Sequence, residues 1–90
     1  MAEAEIVARP EAWPVIQGTG GARKARIGFG ARGKRGGGRI IYFFLPSSAL
    51  LVLLDVYAKR DKDDLTHGDK KDIRNAIQEI RRAVRPHSIR

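Results

Sequence analysis

The sequence predicts an α+β domain in which three β-strands lie between a short N-terminal helix and a longer C-terminal helix. Apolar and β-branched side chains concentrate in the runs 40–45 and 49–54, which is typical of strands covered on both faces. Between Thr66 and Val84, apolar residues recur at spacings of three and four, as they do along one face of a helix. The length of 90 residues predicts a single domain over residues 1–90.

The N-terminal segment predicts a short helix and an irregular connector. Ala2–Arg9 contains alanines, glutamates and an Ile-Val pair, and it must end before the proline that follows. Two helical turns are unstable alone in water, so this helix forms only if it docks. In the connector 11–17, Trp13 and Ile16 are expected to close the edge of the core. Trp13 has an alternative role, stacking on a nucleic-acid base, but the adjacent Pro14 favours packing.

Residues 22–59 are predicted to form a basic antiparallel sheet. Its first strand, Ala22–Phe29, follows a glycine-rich turn, and residues 30–38 contain five glycines and predict a hairpin loop. The strands Arg39–Leu45 and Ala49–Lys59 follow, and their near-continuous apolarity predicts two central strands. Alternation divides the first strand between two faces, with Lys24, Arg26 and Gly28 on one and Arg23, Ala25 and Ile27 on the other.

The C-terminal helix is predicted over residues 67–84. Thr66 is a good N-cap, and Asp69 stands three residues later in a near capping-box relation. The helix ends before an Arg-Pro pair, and residues 85–90 are a tail. Its apolar residues form one stripe that is expected to pack on the sheet: Ile73, Ala76, Ile77, Ile80 and Val84.

Positive charge is concentrated in the middle of the chain. The net charge is −2 for residues 1–17, +7 for 18–54 and +3 for 55–90, within a total of +8. The middle segment contains no Asp or Glu that could neutralise its arginines and lysines. A sheet that presents basic side chains without carboxylate partners is suited to binding a polyanion.

Composition excludes several classes of protein. The chain has no cysteine, which excludes a disulfide framework and thiolate zinc sites and fits a reducing compartment. Acidic residues occupy the N-terminus where a secretory signal would be basic. The apolar stretch 40–54 is too short to span a bilayer and is interrupted by Pro46. We therefore expect a cytoplasmic protein that needs no cofactor and no metal.

One glycine-rich segment matches nucleotide-binding motifs without their context. Residues 28–34, GFGARGK, fit both G-x-G-x-x-G and G-x-x-x-x-G-K. A P-loop needs Ser or Thr after the lysine, where this chain has Arg35, and both motifs need a following helix. A basic loop that contacts phosphates is the favoured interpretation, and a solvated hairpin tip is the alternative.

His67 and His87 show no pairing typical of a metal site or of a catalytic triad.

Any catalysis must then depend on arginine and lysine side chains, with tyrosine as a further candidate. RNA can be cleaved by its own 2′-hydroxyl, and the negative charge that gathers on the phosphoryl oxygens can be stabilised by positioned guanidinium and ammonium groups. The candidates are the basic residues near strand ends: Lys24, Arg26, Arg39 and Lys59. The alternative is that these residues bind backbone phosphate without catalysis, and composition alone favours that alternative.

Three blocks resemble the RelE/HigB toxins of type II toxin–antitoxin systems. They are IQGTGGARKAR at residues 16–26, GKRGGGRIIY at 33–42 and YAKRDKDDLT at 57–66. Order and spacing fit across residues 10–83, and the three blocks are specific only in combination. The resemblance implies a twisted antiparallel sheet of three to four strands with flanking helices. It also implies an endoribonuclease that cuts mRNA on the translating ribosome and is silenced by a protein antitoxin.

Individual positions can be carried over from this resemblance. Lys24 and Arg26 match basic residues on the first long strand of the family. Arg39 matches the basic residue that opens the next strand, and Lys59 matches the lysine that follows a Tyr-Ala pair. Leu65 and Thr66 occupy the neighbourhood where some relatives have a tyrosine, so a tyrosine acid or base lacks a counterpart. Five further basic residues are expected to contact RNA: Arg23, Arg32, Lys34, Arg35 and Arg60.

The chain also departs from the pattern at its N-terminus. Relatives have a strand and a longer helical portion before the segment that matches Pro10–Ala12, so either the natural start lies upstream or this is a shortened relative. We expect the short helix to leave apolar sheet surface for a partner, an antitoxin segment first and a second copy of this chain as runner-up. Two alternatives in function stay open, a non-catalytic RNA- or ribosome-binding module and a degenerate toxin that only binds its antitoxin.

Overall fold

The computed structural model describes residues 2–27, 37–58 and 64–84 and has the predicted α+β fold. The three strands form one antiparallel sheet in the order β1-β2-β3. A single 3₁₀ turn, Pro46–Ser48, joins the second strand to the third. The elements in chain order are α1 (Ala2–Ala8), β1 (Arg23–Ile27), β2 (Gly38–Leu45), β3 (Leu50–Ala58) and α2 (His67–Ala83).

The short helix α1 docks on one face of the sheet, as its length requires. Ile6 is 1% exposed and packs with Ala25, Ile40 and Tyr42. This contact supplies the tertiary burial that a two-turn helix needs in order to persist. The cluster of Ile6, Ala25, Ile40 and Tyr42 is called the α1-side cluster below.

The connector after α1 is fixed to the edge of the sheet. The Tyr42 hydroxyl donates to the carbonyl of Pro10 at 2.6 Å, and the Arg23 guanidinium donates to the carbonyl of Trp13 at 2.6 Å. Trp13 packs against the α1-side cluster and Ile16 against the cluster on the opposite face. The prediction that both residues close the edge of the core is confirmed.

Helix α2 covers the other face of the sheet. Its stripe buries Ile73 and Ile77 against Ile41 and Phe43. At its start, the Thr66 hydroxyl accepts from the Asp69 N–H, and the Asp69 carboxylate accepts from the Thr66 N–H. This reciprocal pair is the predicted capping box, and it determines where the helix begins.

The glycine-rich turn before β1 is held against α2. Gly18 and Gly20 take φ values of 86° and 80°, which glycine adopts without steric cost. Between them Thr19 is buried; its hydroxyl donates to the Ile16 carbonyl at 2.7 Å and accepts from the Ala22 N–H at 3.0 Å. From α2, Arg74 donates to the Gly18 carbonyl at 2.9 Å. The turn therefore connects the N-terminal half of the chain to the C-terminal helix.

One prediction about the sheet is wrong. The apolar run of β3 predicts a central strand covered on both faces, but β3 lies at the edge of the sheet. Leu53 is 51% exposed and Val56 is 52% exposed. The reason is geometric: α1 is two turns long and packs over β1 and β2, while α2 covers the opposite face. A continuous apolar run therefore occurs both in the buried central strand β2 and in the partly exposed edge strand β3.

The predicted bounds agree with the structure within a residue or two where the chain is described. β2 begins at Gly38 instead of Arg39, β3 at Leu50 instead of Ala49, and α2 ends at Ala83 instead of Val84. Four predicted features lie outside the described residues: the end of the first strand at 28–29, the loop at 30–36, the end of the third strand at Lys59 and the tail at 85–90.

The buried hydroxyl of Tyr42 generates the first prediction. Tyr42→Phe keeps the ring in the α1-side cluster but removes the donor to Pro10, so we expect the free energy of unfolding to fall by about 1 kcal/mol. For a domain of this size the melting temperature should fall by roughly 4–8 °C. Urea unfolding measures the change, and an unaltered m-value serves as the control for a two-state comparison. A midpoint equal to that of the wild type would mean that this bond contributes nothing to stability.

Candidate nucleic-acid interface

Three predicted site residues share one face of the sheet. In the β1–β2 register, Lys24 pairs with Ile41 and Arg26 pairs with Arg39. Ile41 packs against α2, so Lys24, Arg26 and Arg39 lie on the α2 side of the sheet. The predicted alternation along β1 is confirmed, and the hairpin adds a pairing that alternation alone did not indicate.

The pairing of Arg26 with Arg39 places two positive charges directly opposite each other on neighbouring strands. Like charges in that relation destabilise a sheet, and an anion bound between them relieves the repulsion. Arg39 is half-buried and donates to its neighbour's carbonyl, that of Gly38, at 3.0 Å. The Arg26 side chain is exposed, and its guanidinium makes no hydrogen bond or ion pair with residues 2–27, 37–58 or 64–84. Of the two guanidinium groups, that of Arg26 is the more accessible to a ligand.

A surface cleft joins these side chains. It has a volume of about 360 Å³ and is lined by Trp13, Pro14, Lys24, Arg26 and Arg39. The connector reaches it because the Lys24 N–H donates to the Pro14 carbonyl at 3.3 Å, along the outer edge of β1. Three cations and one indole therefore border the same depression, although they come from three separate parts of the chain. We call it the basic cleft.

The sequence prediction that these cations lack carboxylate partners needs a correction at Lys24. Its ammonium lies 3.2 Å from a carboxylate oxygen of Asp64, a residue outside the acid-free segment. The Leu65 N–H, which donates to this carboxylate, and the Lys24 ammonium hold the pKa of Asp64 below its usual value. Asp64 is exposed, so the pair contributes little to stability and can open to admit a phosphate.

Arg23 lies on the other face of the sheet, opposite Tyr42 in the register. Its guanidinium donates to the carbonyls of Glu11 and Trp13 at 3.2 and 2.6 Å. Arg23 was predicted to contact RNA. In the structure its guanidinium instead holds the connector in position. Burial raises the pKa of its neighbour Tyr42, so that hydroxyl stays protonated as a donor at neutral pH.

Five predicted residues lie outside the described part of the chain: Lys59, Arg32, Lys34, Arg35 and Arg60. The strand ends next to them are described. Ile27 pairs with Gly38, and Gly38 pairs with Ala58, so the last residues of β1 and β3 flank the first residue of β2. Lys59 directly follows Ala58 in the sequence.

Sequence analysis did not place two aromatic residues, Tyr57 and Trp13, beside these cations. Tyr57 pairs with Arg39 across β2 and β3 and packs against the cluster beneath α2. Trp13 lines the basic cleft, whereas the sequence predicted only packing at the edge of the core, with base stacking as the alternative. Period-two alternation on β3 could have placed Tyr57 on one face, but no pattern in the sequence gives the register that sets it opposite Arg39.

This arrangement can bind a phosphodiester and stabilise negative charge on it. Guanidinium groups offer paired N–H donors to phosphate oxygens, and the Lys24 ammonium acts as a point charge. His67 is exposed at the start of α2 and does not line the basic cleft. The described residues of the cleft therefore supply charge and hydrogen-bond donors, with no imidazole or carboxylate base among them.

A comparison of the chain with models of known protein families finds no match. Neither α1 nor α2, the helices within the described ranges, combines the length and apolarity needed to cross a membrane.

The Lys24–Asp64 pair generates the second prediction. Asp64→Asn retains an oxygen acceptor for the Leu65 N–H but removes the charge that competes for Lys24. We expect single-stranded RNA to bind roughly two- to five-fold more tightly at low salt, which is the scale of an exposed ion pair. Fluorescence anisotropy of a labelled oligonucleotide measures the change.

The matched control is Asp72→Asn, which removes the same charge from an exposed position on α2. Equal gains in both variants would show that only net charge matters and that the Lys24–Asp64 pair plays no part.

Proposed function

We propose that this protein is the toxin of a type II toxin–antitoxin system, an endoribonuclease that cuts mRNA on the translating ribosome and so inhibits translation. One observation carries the proposal. Lys24, Arg26 and Arg39, which the resemblance marks as site residues, line a single cleft of about 360 Å³. Their chemistry suits a phosphodiester, because all three side chains carry positive charge and N–H donors.

The reaction follows from what these side chains can stabilise. The ribose 2′-oxygen forms a bond to the adjacent phosphorus, and the bond from phosphorus to the 5′-oxygen of the next nucleotide breaks. The 2′-hydroxyl gives its proton to solvent water and the leaving 5′-oxygen takes one from solvent water, so the products are a 2′,3′-cyclic phosphate and a 5′-hydroxyl. Extra negative charge accumulates on the phosphoryl oxygens between ground state and transition state. Arg26 and Arg39 are assigned to stabilise it, and Lys24 to hold the flanking phosphate.

The protein antitoxin is the proposed partner, and the apolar side of β3 is its proposed contact surface. Leu53 and Val56 are each about half exposed on an edge strand, where a partner can add backbone hydrogen bonds as well as apolar contacts. A second copy of the chain would bring a net charge of +8 against another +8. An acidic partner with an apolar segment avoids that repulsion, which favours an antitoxin over a homodimer.

Arginine substitutions in the basic cleft generate the third prediction. We expect Arg26→Ala and Arg39→Ala each to lower the rate of RNA cleavage about 100-fold, the usual effect of losing one transition-state donor. RNA affinity should fall less than about ten-fold, because ground-state binding is shared among several cations. Cleavage is followed on a labelled RNA, with product ends tested for 2′,3′-cyclic phosphate. Both variants should also relieve the growth arrest that the wild-type chain causes when it is expressed.

Arg82→Ala is the matched control, since Arg82 is an exposed arginine of α2 whose partner is Glu79 at 2.8 Å. It should cut RNA and arrest growth like the wild type. A wild-type chain that binds RNA, loses affinity in the Arg26 and Arg39 variants and produces no new RNA ends would be a binding module instead of an enzyme. Wild-type protein that neither binds RNA nor arrests growth would remove the proposed function entirely.

The exposed side of β3 generates the fourth prediction. Leu53→Lys should weaken the complex with the protein encoded in the neighbouring reading frame at least ten-fold, because a charge then replaces an apolar contact. The isolated chain should keep its stability, since Leu53 is already 51% exposed. Val15→Lys is the control: Val15 is equally exposed at 51% but lies beside β1, at the opposite edge of the sheet. Titration calorimetry with the purified partner distinguishes the two variants, and equal affinities would exclude β3 as the contact surface.

A further inference from the structure

Trp13 occupies a position that its packing role does not fully explain. It packs against the α1-side cluster but remains only half-buried, and it lines two surface cavities. One is the basic cleft. The other, of about 400 Å³, is lined by Trp13 together with Glu5, Ala8, Arg9 and Ala12. The indole therefore stands between two depressions, and each of them is open to a ligand.

The backbone around Trp13 is held at several points. The Pro10 carbonyl accepts from Tyr42 at 2.6 Å, the Trp13 carbonyl accepts from Arg23 at 2.6 Å, and the Pro14 carbonyl accepts from the Lys24 N–H at 3.3 Å. Arg23 also donates to the Glu11 carbonyl at 3.2 Å, so four hydrogen bonds within five residues fix an otherwise irregular connector to the sheet. An aromatic side chain on such a support loses little conformational freedom when a ligand binds.

An indole beside a group of cations matches the chemistry of a single-stranded nucleotide. The base offers an apolar π-face for stacking, and the phosphate offers negative charge for Arg26 and Arg39. Base–aromatic stacking tolerates any sequence because every base has a π-face, whereas a polyanion without bases gains nothing from the indole. The two features lie in one cleft, so a single nucleotide can use both.

We propose that Trp13 is a stacking platform for one base of a single-stranded RNA whose backbone lies in the basic cleft. The inference rests on the proposed function, because it assumes that the cleft binds RNA, and it deepens that function by assigning a base contact. Trp13 is a binding residue in this scheme, and the phosphate-binding arginines remain the residues that act on the reacting atoms.

The chain contains one tryptophan, so its fluorescence reports on position 13 alone. The probe is a 2′-O-methyl oligonucleotide of eight nucleotides, which cannot be cleaved because its 2′-oxygen is blocked. We expect it to quench the fluorescence saturably, whereas inorganic polyphosphate should compete for the cleft and leave the emission nearly unchanged. This contrast separates stacking from charge, since both probes are polyanions and only one has bases.

Two substitutions test the energetic contribution. Trp13→Phe keeps an aromatic face and should bind the oligonucleotide within about three-fold of the wild type. Trp13→Leu keeps an apolar side chain for the α1-side cluster but has no π-face, and it should bind roughly 5- to 100-fold more weakly. The dependence of affinity on salt should be the same in all three proteins, because the phosphate contacts are unchanged. Circular dichroism and thermal melting establish that both variants are folded.

The outcomes separate this inference from the proposed function. Suppose that Arg26→Ala weakens oligonucleotide binding, that Trp13→Leu leaves it intact, and that the wild type shows no quenching. This result overturns the stacking platform alone. Quenching and a Trp13→Leu defect in a protein that never cuts RNA support the platform and overturn the nuclease. A folded wild-type protein that fails to bind the oligonucleotide at low salt overturns both.

Discussion

The whole domain depends on β2, because it is the central strand and carries large buried side chains on both faces. Ile40 and Tyr42 pack toward α1, while Ile41 and Phe43 pack toward α2, and all four are at most 2% exposed. Burying a side chain of this size contributes about 1.5–3 kcal/mol, and small domains have only about 5–15 kcal/mol of net stability. Among the described residues, α1 contributes Ile6 to one cluster and α2 contributes Ile73 and Ile77 to the other, so β2, which contributes to both, couples the two halves of the core.

The same strand also assembles the basic cleft. Its first residues, Gly38 and Arg39, pair with the last residues of β1, which sets Arg39 opposite Arg26. The apolar middle of β2 therefore fixes the position of a charged residue at its end. A one-residue slip of β2 would exchange the side chains that pack toward α1 with those that pack toward α2, so the packing of both clusters also fixes the pairing of the two arginines. Stability and the candidate interface are in this way consequences of one packing arrangement.

The two edges of the sheet differ in what covers them, and this difference separates the proposed RNA contact from the proposed protein contact. The edge at β1 is covered by the connector, whose hydrogen bonds to Arg23, Lys24 and Tyr42 leave an indole beside the cations. The edge at β3 carries the half-exposed Leu53 and Val56. The proposed RNA contact thus lies at the covered, charged edge, and the proposed protein contact lies at the open, apolar edge. β2 lies between these two edges, so the two proposed contact surfaces are separate.

The sequence by itself determined the elements and their chemistry. Periodicity gave α2 and its stripe, Thr66 and Asp69 gave the capping box, and alternation along β1 put Lys24 and Arg26 on one face, because each of these depends on residues close together in the chain. Only the tertiary structure decided which distant residues meet. Apolarity alone could not show that β3 is an edge strand, because a partly exposed apolar strand has the same composition as a buried one. Nor could it show that Asp64 reaches Lys24, which is 40 residues away, or that Trp13 borders the cleft, whose nearest cation in the sequence is 11 residues away. Their positions follow from strand register and helix packing, and those depend on the fit of the whole core.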